Sequence, residues 1–161
     1  SKPSLVTNTI LLGDRHDAAN LPKLRALGVS HVVVAARQLE PVFPDTLTYC
    51  KLDLRDADDA PITHVFPEAF AFLDAAAELG TRCLVHCIAG VSRSVTIVVA
   101  YLMSRQGLNL ADALKLVRRA RPTVIPNEGF RNQLALYELQ IRGYSSVATT
   151  KDPFWNFYRW N

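Results

Sequence analysis

The sequence has little cysteine, with three residues among 161, and it has no long apolar run. Cys50, Cys83 and Cys87 show neither the spacing of a zinc site nor a disulfide framework, so a reducing, intracellular setting is expected. The longest apolar run, Val95 to Met103, is interrupted by Thr96 and is too short for a membrane span. No secretory signal is visible. These absences argue against a disulfide-stapled, zinc-dependent or membrane-spanning protein.

The charge is nearly balanced, with 18 basic and 15 acidic residues and a formal net charge of +3. This small excess suits an anionic substrate but does not indicate nucleic-acid binding, and no nucleic-acid partner is expected. A chain of this length fits one domain with a substantial core. Because it begins at Ser1 and not at methionine, we expect a trimmed N-terminus, which leaves an N-terminal lipid signal open.

Strand-like and helix-like segments alternate along the chain. This pattern predicts an α/β fold, a single domain with a central, mostly parallel twisted sheet flanked by helices. The predicted strands are Thr7–Leu12, His31–Ala36, Leu47–Leu54 and Cys83–His86. The predicted helices are Asp14–Leu27, Thr63–Leu79, Ser94–Ser104, Leu110–Ala120 and a last one from Asn127 to Tyr137 or beyond.

The most informative segment runs from His86 to Ser94 and places Cys87 six positions before Arg93. A tight loop between a strand and a helix points several backbone N–H groups at one spot, which suits an anion and stabilises a thiolate. An arginine that closes such a loop can bind two phosphate oxygens. The alternative, a core cysteine beside a surface arginine, is disfavoured by Gly90 in mid-loop and by the strand–helix context.

The segment Val85–Ser94 resembles the signature of the dual-specificity phosphatases, small atypical members of the cysteine-dependent protein tyrosine phosphatase superfamily. Ala100–Met103 and Asn127–Phe130 are also similar to family motifs, and the similarity covers about Thr7 to Ile141. The resemblance implies a phosphatase-like fold with a catalytic domain at residues 1–143. It implies neither a cofactor nor a metal.

The resemblance also implies the roles of the loop residues. Cys87 attacks phosphorus, Arg93 holds phosphate oxygens, and the Ser94 hydroxyl eases departure of the sulfur in a second step. His86 supports the loop and keeps the thiol acidic, although a core histidine without direct chemistry is an equal alternative. Asn127 steadies the loop, caps the last helix, or does both. The phosphate-binding residues are Ile88, Ala89, Gly90, Val91, Ser92 and Arg93.

A proton donor for the leaving group is expected on a separate, movable loop. The acidic stretch Asp53–Pro61 supplies candidates, and comparison with the family, anchored on Phe66–Ala69, places the general acid at Asp56. Asp59 is the second candidate, while Asp58 is interpreted as a solvated neighbour.

Apolar loop side chains favour a phosphorylated protein as the substrate. Phosphoinositide phosphatases carry lysines where this chain has Ile88, Ala89 and Val91, so dephosphorylation of phosphotyrosine and phosphoserine or phosphothreonine is expected. Phosphorylated kinases are candidate partners, in the cytoplasm and also the nucleus. An RNA 5′-phosphatase and a phosphoprotein-binding scaffold with weak catalysis are the alternatives.

Three further groups of residues have no assigned chemistry. Residues 144–161 form an aromatic-rich tail, which packs on the domain or forms an interface, including a homodimer contact. A helix from Pro153 is expected there. Cys50 and Cys83 are interpreted as buried core thiols and not as resolving cysteines. A basic stretch is interpreted as a solvated helix face, with attraction of phosphorylated partners as the alternative; it comprises Lys115, Arg118, Arg119 and Arg121.

Overall fold

A computed structural model describes residues 2–148 and 155. The strands are β1 (Ser4–Thr7), β2 (Ile10–Gly13), β3 (Val29–Ala35), β4 (Thr48–Leu52) and β5 (Arg82–His86). They form a central five-stranded sheet in the order β1-β2-β5-β3-β4, in which β1 is antiparallel to β2 and the other neighbours are parallel. The predicted α/β fold with a mostly parallel sheet is therefore confirmed.

Helices cover both faces of the sheet. They are α1 (Arg15–Ala18), α2 (Leu21–Ala26), α3 (Phe66–Glu78), α4 (Arg93–Gln106), α5 (Leu110–Ala120) and α6 (Glu128–Arg142), with a 3-10 turn at Thr63–Val65. On one face, a small apolar cluster that includes Leu24 packs under α1 and α2. On the other, the main core lies under α3, α4, α5 and α6, with α4 buried along most of its length.

Two predicted elements differ from the structure near the N-terminus. The predicted strand Thr7–Leu12 is a hairpin, because the polar turn at residues 8–9 separates β1 from β2. The predicted helix Asp14–Leu27 is two short helices. Asp14 caps the first and Asn20 caps the second, so each cap starts a new helix.

The sheet topology places the predicted functional loop at the centre of one edge. Strand β5 lies between β2 and β3 and is parallel to both, so their carboxyl ends meet at the same edge. His86 at the end of β5 is paired with Gly13 on one side and with Val34 on the other. Such an edge is where open α/β sheets bind ligands.

A buried carboxylate joins α6 to the neighbouring elements. Glu138 is fully buried and accepts hydrogen bonds from the backbone N–H groups of Leu110 and Ser146, each at 2.7 Å. It thereby caps α5 and holds the start of the tail. Within the tail, Val147 and Trp155 are buried, while the predicted helix from Pro153 lies outside the described residues. In the described part of the chain, no helix has the length and apolar character needed to span a membrane.

Two leucines on α6 allow a matched test of this packing. Leu134 is fully buried in the main core, whereas Leu136 is 58% exposed. Leu134→Ala should lower the free energy of unfolding by about 2–5 kcal/mol, because it removes buried methyl groups and leaves a cavity. Leu136→Ala should change it by less than about 0.5 kcal/mol. Urea denaturation of both variants measures the difference; equal effects would contradict this placement of α6.

Candidate active site

The predicted loop lies between β5 and α4, as its strand–loop–helix pattern indicates. Cys87 directly follows β5 and Arg93 is the first residue of α4, so residues 87–93, termed the phosphate loop, approach the N-terminus of a long buried helix. The positive end of the α4 dipole therefore faces the loop. Cys87, Arg93 and Ser94 are all buried.

All five carbonyl groups from Cys87 to Val91 accept hydrogen bonds from groups outside the loop. Each peptide unit is planar and trans, with its N–H opposite its C=O, so a carbonyl held outside the loop turns the next N–H toward the interior. The donors, in loop order, are His86 Nδ1 (3.1 Å), the Arg15 N–H (3.0 Å), Arg121 Nη2 (3.4 Å), Arg121 Nε (3.0 Å) and the Ile125 N–H (2.9 Å).

Gly90 has the conformation that its position in mid-loop predicts. Its φ is +68°, in the region that favours glycine. A Cβ atom there would lie 2.6 Å from the Gly13 carbonyl oxygen and 2.8 Å from Arg121 Nη2. The loop therefore packs too closely against β2 and Arg121 to accept any other residue at this position.

Hydrogen bonds to the Cys87 sulfur favour its thiolate. Burial raises the pKa of this thiol, but donors from Ser94, Gly90 and Val91 more than offset the effect and hold the pKa below the usual 9.0. The Ser94 hydroxyl lies 3.2 Å from Sγ. Cys87 thus has the environment of a nucleophile.

The His86 ring contacts the backbone of the phosphate loop. Since a carbonyl oxygen can only accept, Nδ1 carries the proton and donates to the Cys87 carbonyl at 3.1 Å. Burial lowers the pKa of His86, although this hydrogen bond and the charge of Asp14 partly counter the effect. The structure therefore places a neutral histidine behind the loop, where it orients the first peptide unit.

Arg93 projects from α4 toward the loops that follow β3 and β4. Its Nη1 donates to Gln38 Oε1 at 2.8 Å and to the Leu54 carbonyl at 3.0 Å. Its Nε is buried and has no hydrogen-bond partner among the described residues. A buried unpaired donor is costly, and a phosphate oxygen would satisfy it.

Asp56 is connected to the phosphate loop through Asn127. The Asn127 amide donates to Asp56 Oδ1 at 2.8 Å, and the Asn127 backbone N–H donates to the Ser92 hydroxyl at 2.9 Å. Asn127 Oδ1 also accepts from the Phe130 N–H at 2.8 Å and caps α6. The Asn127 side chain therefore caps α6 and bonds Asp56, whereas its contact with the phosphate loop is made by the backbone N–H.

The remaining aspartates of the acidic stretch have other contacts. Asp53 pairs with Arg37 at 2.6 Å, and Asp59 lies 3.8 Å from Arg55. The backbone of Asp58 packs closely on Gly129. A Cβ atom at position 129 would lie 1.9 Å from the Asp58 carbonyl oxygen. Of the two candidates for the general acid, Asp56 is therefore the one in contact with Asn127.

Helix α6 also anchors the far end of the acidic loop. Gln133 Nε2 donates to the Ala60 carbonyl at 2.8 Å, and Gln133 Oε1 accepts from the Ile62 N–H at 2.9 Å. With Asn127 and Gly129, this amide attaches the acidic loop to one helix. The predicted separate loop is thus packed along α6.

Sequence reasoning missed two polar contacts of the site. The interpretation of the basic stretch as a solvated face is wrong for Arg121, which binds the phosphate loop. Gln38, which contacts Arg93, was not identified either. Neither residue belongs to a local motif; the one available signal was the position of Arg121 at the end of α5 and directly before Pro122.

The other two cysteines are buried with unfavourable environments for a thiolate. Burial and the charge of Glu68 raise the pKa of Cys50 to about 12, and its Sγ lies 3.6 Å from Glu68 Oε1. Burial also raises the pKa of Cys83. Both thiols are therefore far less reactive than Cys87. Within the described residues, no three His, Cys, Asp or Glu side chains are grouped to hold a metal ion.

Comparisons with known proteins agree with this geometry. Residues 10–140 match the family described as "Dual specificity phosphatase, catalytic domain". The chain is 42% identical to "Dual specificity protein phosphatase 1" of Arabidopsis thaliana over 155 residues, which cover 96% of this chain and 75% of that protein. It is 38% identical to "Dual specificity protein phosphatase 1B" of the same plant over 140 residues, 87% of this chain and 84% of that protein.

A solved structure shows the same fold. The crystal structure of human DUSP28 superposes with a TM-score of 0.82 and 31% sequence identity, over 86% of this chain and 93% of that one. Family match, sequence identity and fold therefore agree along most of the chain. This chain belongs to the dual specificity phosphatases and contains their catalytic domain.

Proposed function

We propose that this chain removes phosphate from phosphotyrosine and from phosphoserine or phosphothreonine in proteins, with Cys87 as the nucleophile. The observation that carries this proposal is a buried thiol of lowered pKa at the base of a loop whose peptide N–H groups turn inward. Thiolate and converging donors together are what transfer of a phosphoryl group to sulfur requires.

In the first step, the Cys87 thiolate attacks phosphorus while the bond from phosphorus to the leaving oxygen breaks. Asp56 gives its proton to that oxygen, so the leaving group departs as an alcohol or a phenol. Arg93 Nε and the loop N–H groups bind the three remaining phosphate oxygens as their charge redistributes. The product is a cysteinyl-phosphate.

In the second step, water attacks the cysteinyl-phosphate and the bond from sulfur to phosphorus breaks. The Asp56 carboxylate now accepts a proton from the water, which restores its acid form. The departing sulfur carries negative charge, and the Ser94 hydroxyl, 3.2 Å from Sγ, stabilises it by a hydrogen bond. Inorganic phosphate leaves and the thiolate is regenerated.

The exposed surface of the phosphate loop supports a protein substrate. Ile88 and Val91 are half-buried and Ala89 is exposed, so no cation on the loop side chains is available for a second phosphate group. One relative is "MAP kinase phosphatase with leucine-rich repeats protein 3" of Dictyostelium discoideum, 40% identical over 144 residues, which cover 88% of this chain and 16% of that protein. We therefore include phosphorylated kinases among the candidate substrates.

The complete nucleophile and acid pair does not favour the scaffold alternative, and the family does not favour the RNA phosphatase.

Three predictions concern the chain beyond its active site. The division between the catalytic domain, residues 1–143, and the tail, residues 144–161, stays a prediction. Burial of Val147 and Trp155 supports a tail that packs on the domain. A homodimer through the tail and a cytoplasmic or nuclear location likewise stay predictions.

The proposed function is tested by phosphate release from phosphotyrosyl, phosphothreonyl, phosphoinositide and 5′-phosphorylated RNA substrates. Release should be substantial from both phosphopeptides and at background from the lipid and the RNA. Cys87→Ser should reduce all release to background, because the hydroxyl is not ionised at neutral pH. Preference for the lipid or RNA substrate, or full activity of the variant, would refute the assignment.

The contribution of Asp56 to the rate should depend on how strongly the leaving oxygen needs a proton. Asp56→Asn should slow kcat for an alkyl phosphate by about 10²–10⁴-fold, since general acid catalysis contributes this much. An activated aryl phosphate, whose phenoxide leaves unaided, should be affected far less. Equal rates of variant and wild type on the alkyl substrate would exclude Asp56.

A companion variant separates the two contacts of Asn127. Asn127→Ser keeps a side-chain oxygen that can cap α6 but removes the amide that donates to Asp56. It should therefore unfold at nearly the same urea concentration as wild type, while its kcat on the alkyl phosphate falls. A loss of stability without a loss of rate would mean that Asn127 serves only as a cap.

The thiol environments predict selective alkylation at neutral pH. Because a lowered pKa preserves the thiolate as pH falls below 9.0, iodoacetamide should still label Cys87 rapidly at pH 7. Cys50 and Cys83, whose pKa values are raised, should remain unlabelled in the folded protein. Mass spectrometry of the native protein should show one label at Cys87 and none in Cys87→Ser. Label on another cysteine would contradict these environments.

A further inference from the structure

We propose that Arg121 is a positioning residue for the nucleophile: it binds the two loop carbonyls whose peptide units direct their N–H groups at Cys87, and so stabilises the thiolate. This inference rests on the proposed function for its catalytic meaning. Its physical core, a charge that acts on the sulfur through the backbone, can be measured without any turnover.

The contacts of Arg121 with the phosphate loop are specific. Its Nε donates to the Gly90 carbonyl at 3.0 Å, and its Nη2 donates to the Ala89 carbonyl at 3.4 Å. One guanidinium group therefore binds two successive carbonyls. This geometry uses the planar fork of arginine, which a lysine amine cannot reproduce.

The same two peptide units carry the N–H groups that stabilise the thiolate. The Ala89 carbonyl shares its peptide unit with the Gly90 N–H, and the Gly90 carbonyl shares its unit with the Val91 N–H. These N–H groups are two of the donors that lower the pKa of Cys87. A hydrogen bond from a cation to the carbonyl polarises the unit and strengthens its N–H as a donor.

Arg121 is itself held in place. Its Nη1 donates to the Ser4 hydroxyl at 3.3 Å and to the Lys2 carbonyl at 3.4 Å, so β1 and the residues before it help to orient the side chain. Burial raises the pKa of Asp17, which belongs to the cap of α1, and the charge of Arg121 partly counters that effect. These contacts do not depend on a substrate.

The two arginines of the site therefore have different positions. Arg93 has an unpaired Nε available to bind a phosphate. Arg121 binds the carbonyl side of the loop, opposite its N–H groups, and has no direct access to the reacting atoms by this route. Arg121 can approach the loop this closely because Gly90 has no side chain. A Cβ atom at this position would lie 2.8 Å from Arg121 Nη2.

Other charged groups near the thiol are accounted for separately. His86 lies behind the loop and is neutral because burial lowers its pKa, and Asp14 acts on His86. Arg93 follows the loop on α4, and Asp56 bonds Asn127. The Arg121 variants substitute none of these residues, although the charge of Arg121 also reaches Asp17, which shares the cap of α1 with Asp14.

The experiment compares Arg121→Gln and Arg121→Lys with a matched control, Arg119→Gln. Arg119 is exposed near the end of α5, the helix that Arg121 directly follows, so its substitution removes the same charge without touching the loop. Each folded variant is alkylated with iodoacetamide across a range of pH, and the pH of half-maximal rate is measured for Cys87. Steady-state kcat and KM are measured on a phosphotyrosyl peptide.

Arg121→Gln should raise the pH of half-maximal alkylation by about one unit. It should lower kcat about 10-fold at a pH well below that midpoint, because there a one-unit shift is a tenfold change in the thiolate fraction. Both values for Arg121→Lys should lie between those of wild type and Arg121→Gln, since lysine keeps the charge but not the planar fork of donors. Arg119→Gln should match wild type in both measurements.

A kcat that falls in Arg121→Gln while the alkylation profile stays unchanged would overturn the proposal, since that result describes a merely structural contact. If Arg121→Gln does not fold, Arg121→Lys decides, and an unshifted profile in that variant would overturn the proposal equally. Absence of phosphate release from wild type would refute the proposed function, whereas a shifted alkylation profile would still support the role of Arg121.

Discussion

The outward hydrogen bonding of five consecutive carbonyls, from Cys87 to Val91, is the constraint on which the site depends. A peptide unit cannot turn its N–H inward while its carbonyl also points inward. A carbonyl that is buried without a partner costs about 1–3 kcal/mol, so external donors stabilise the inward arrangement of N–H groups most in the buried part of the loop. An anion or a thiolate then meets preorganised donors, which is how such sites stabilise charge without reorganisation.

The fold supplies these donors from several separate elements. The parallel arrangement brings the end of β2 beside the end of β5, and the capping box at Asp14 starts α1 so that the Arg15 N–H reaches the Ile88 carbonyl. The segment that follows α5 contributes two further donors, the Arg121 side chain and the Ile125 N–H. The sheet and helices thus form a frame around one loop, and residues distant in sequence set its geometry.

The phosphate loop and the proposed general acid, Asp56, are coupled through a short segment. Ile125 holds the Val91 carbonyl, and two residues later Asn127 bonds both Ser92 and Asp56. Since Asn127 also caps α6, the helix, the phosphate loop and the acidic loop share one point of attachment. Gly129 and Gln133 extend that attachment along the first turns of α6. A displacement of α6 would therefore move the contacts of Asn127 with Asp56 and with Ser92 together.

The sequence by itself determined the α/β class, most helices and strands, and the identity of the loop. Hydrophobic periodicity and the spacing of Cys87 and Arg93 are local signals, so neighbours in sequence suffice to recognise them. Asp56 was placed by resemblance, because four loop aspartates look alike until their partners are known. Only the tertiary structure decided that Arg121 and Ile125 bind the loop, that Gln38 meets Arg93, and that Asn127 bonds Asp56. These contacts join residues brought together by parallel strand pairing and by the packing of α5 and α6. Periodicity cannot report them, because hydrogen bonding between distant segments leaves no pattern in either segment alone.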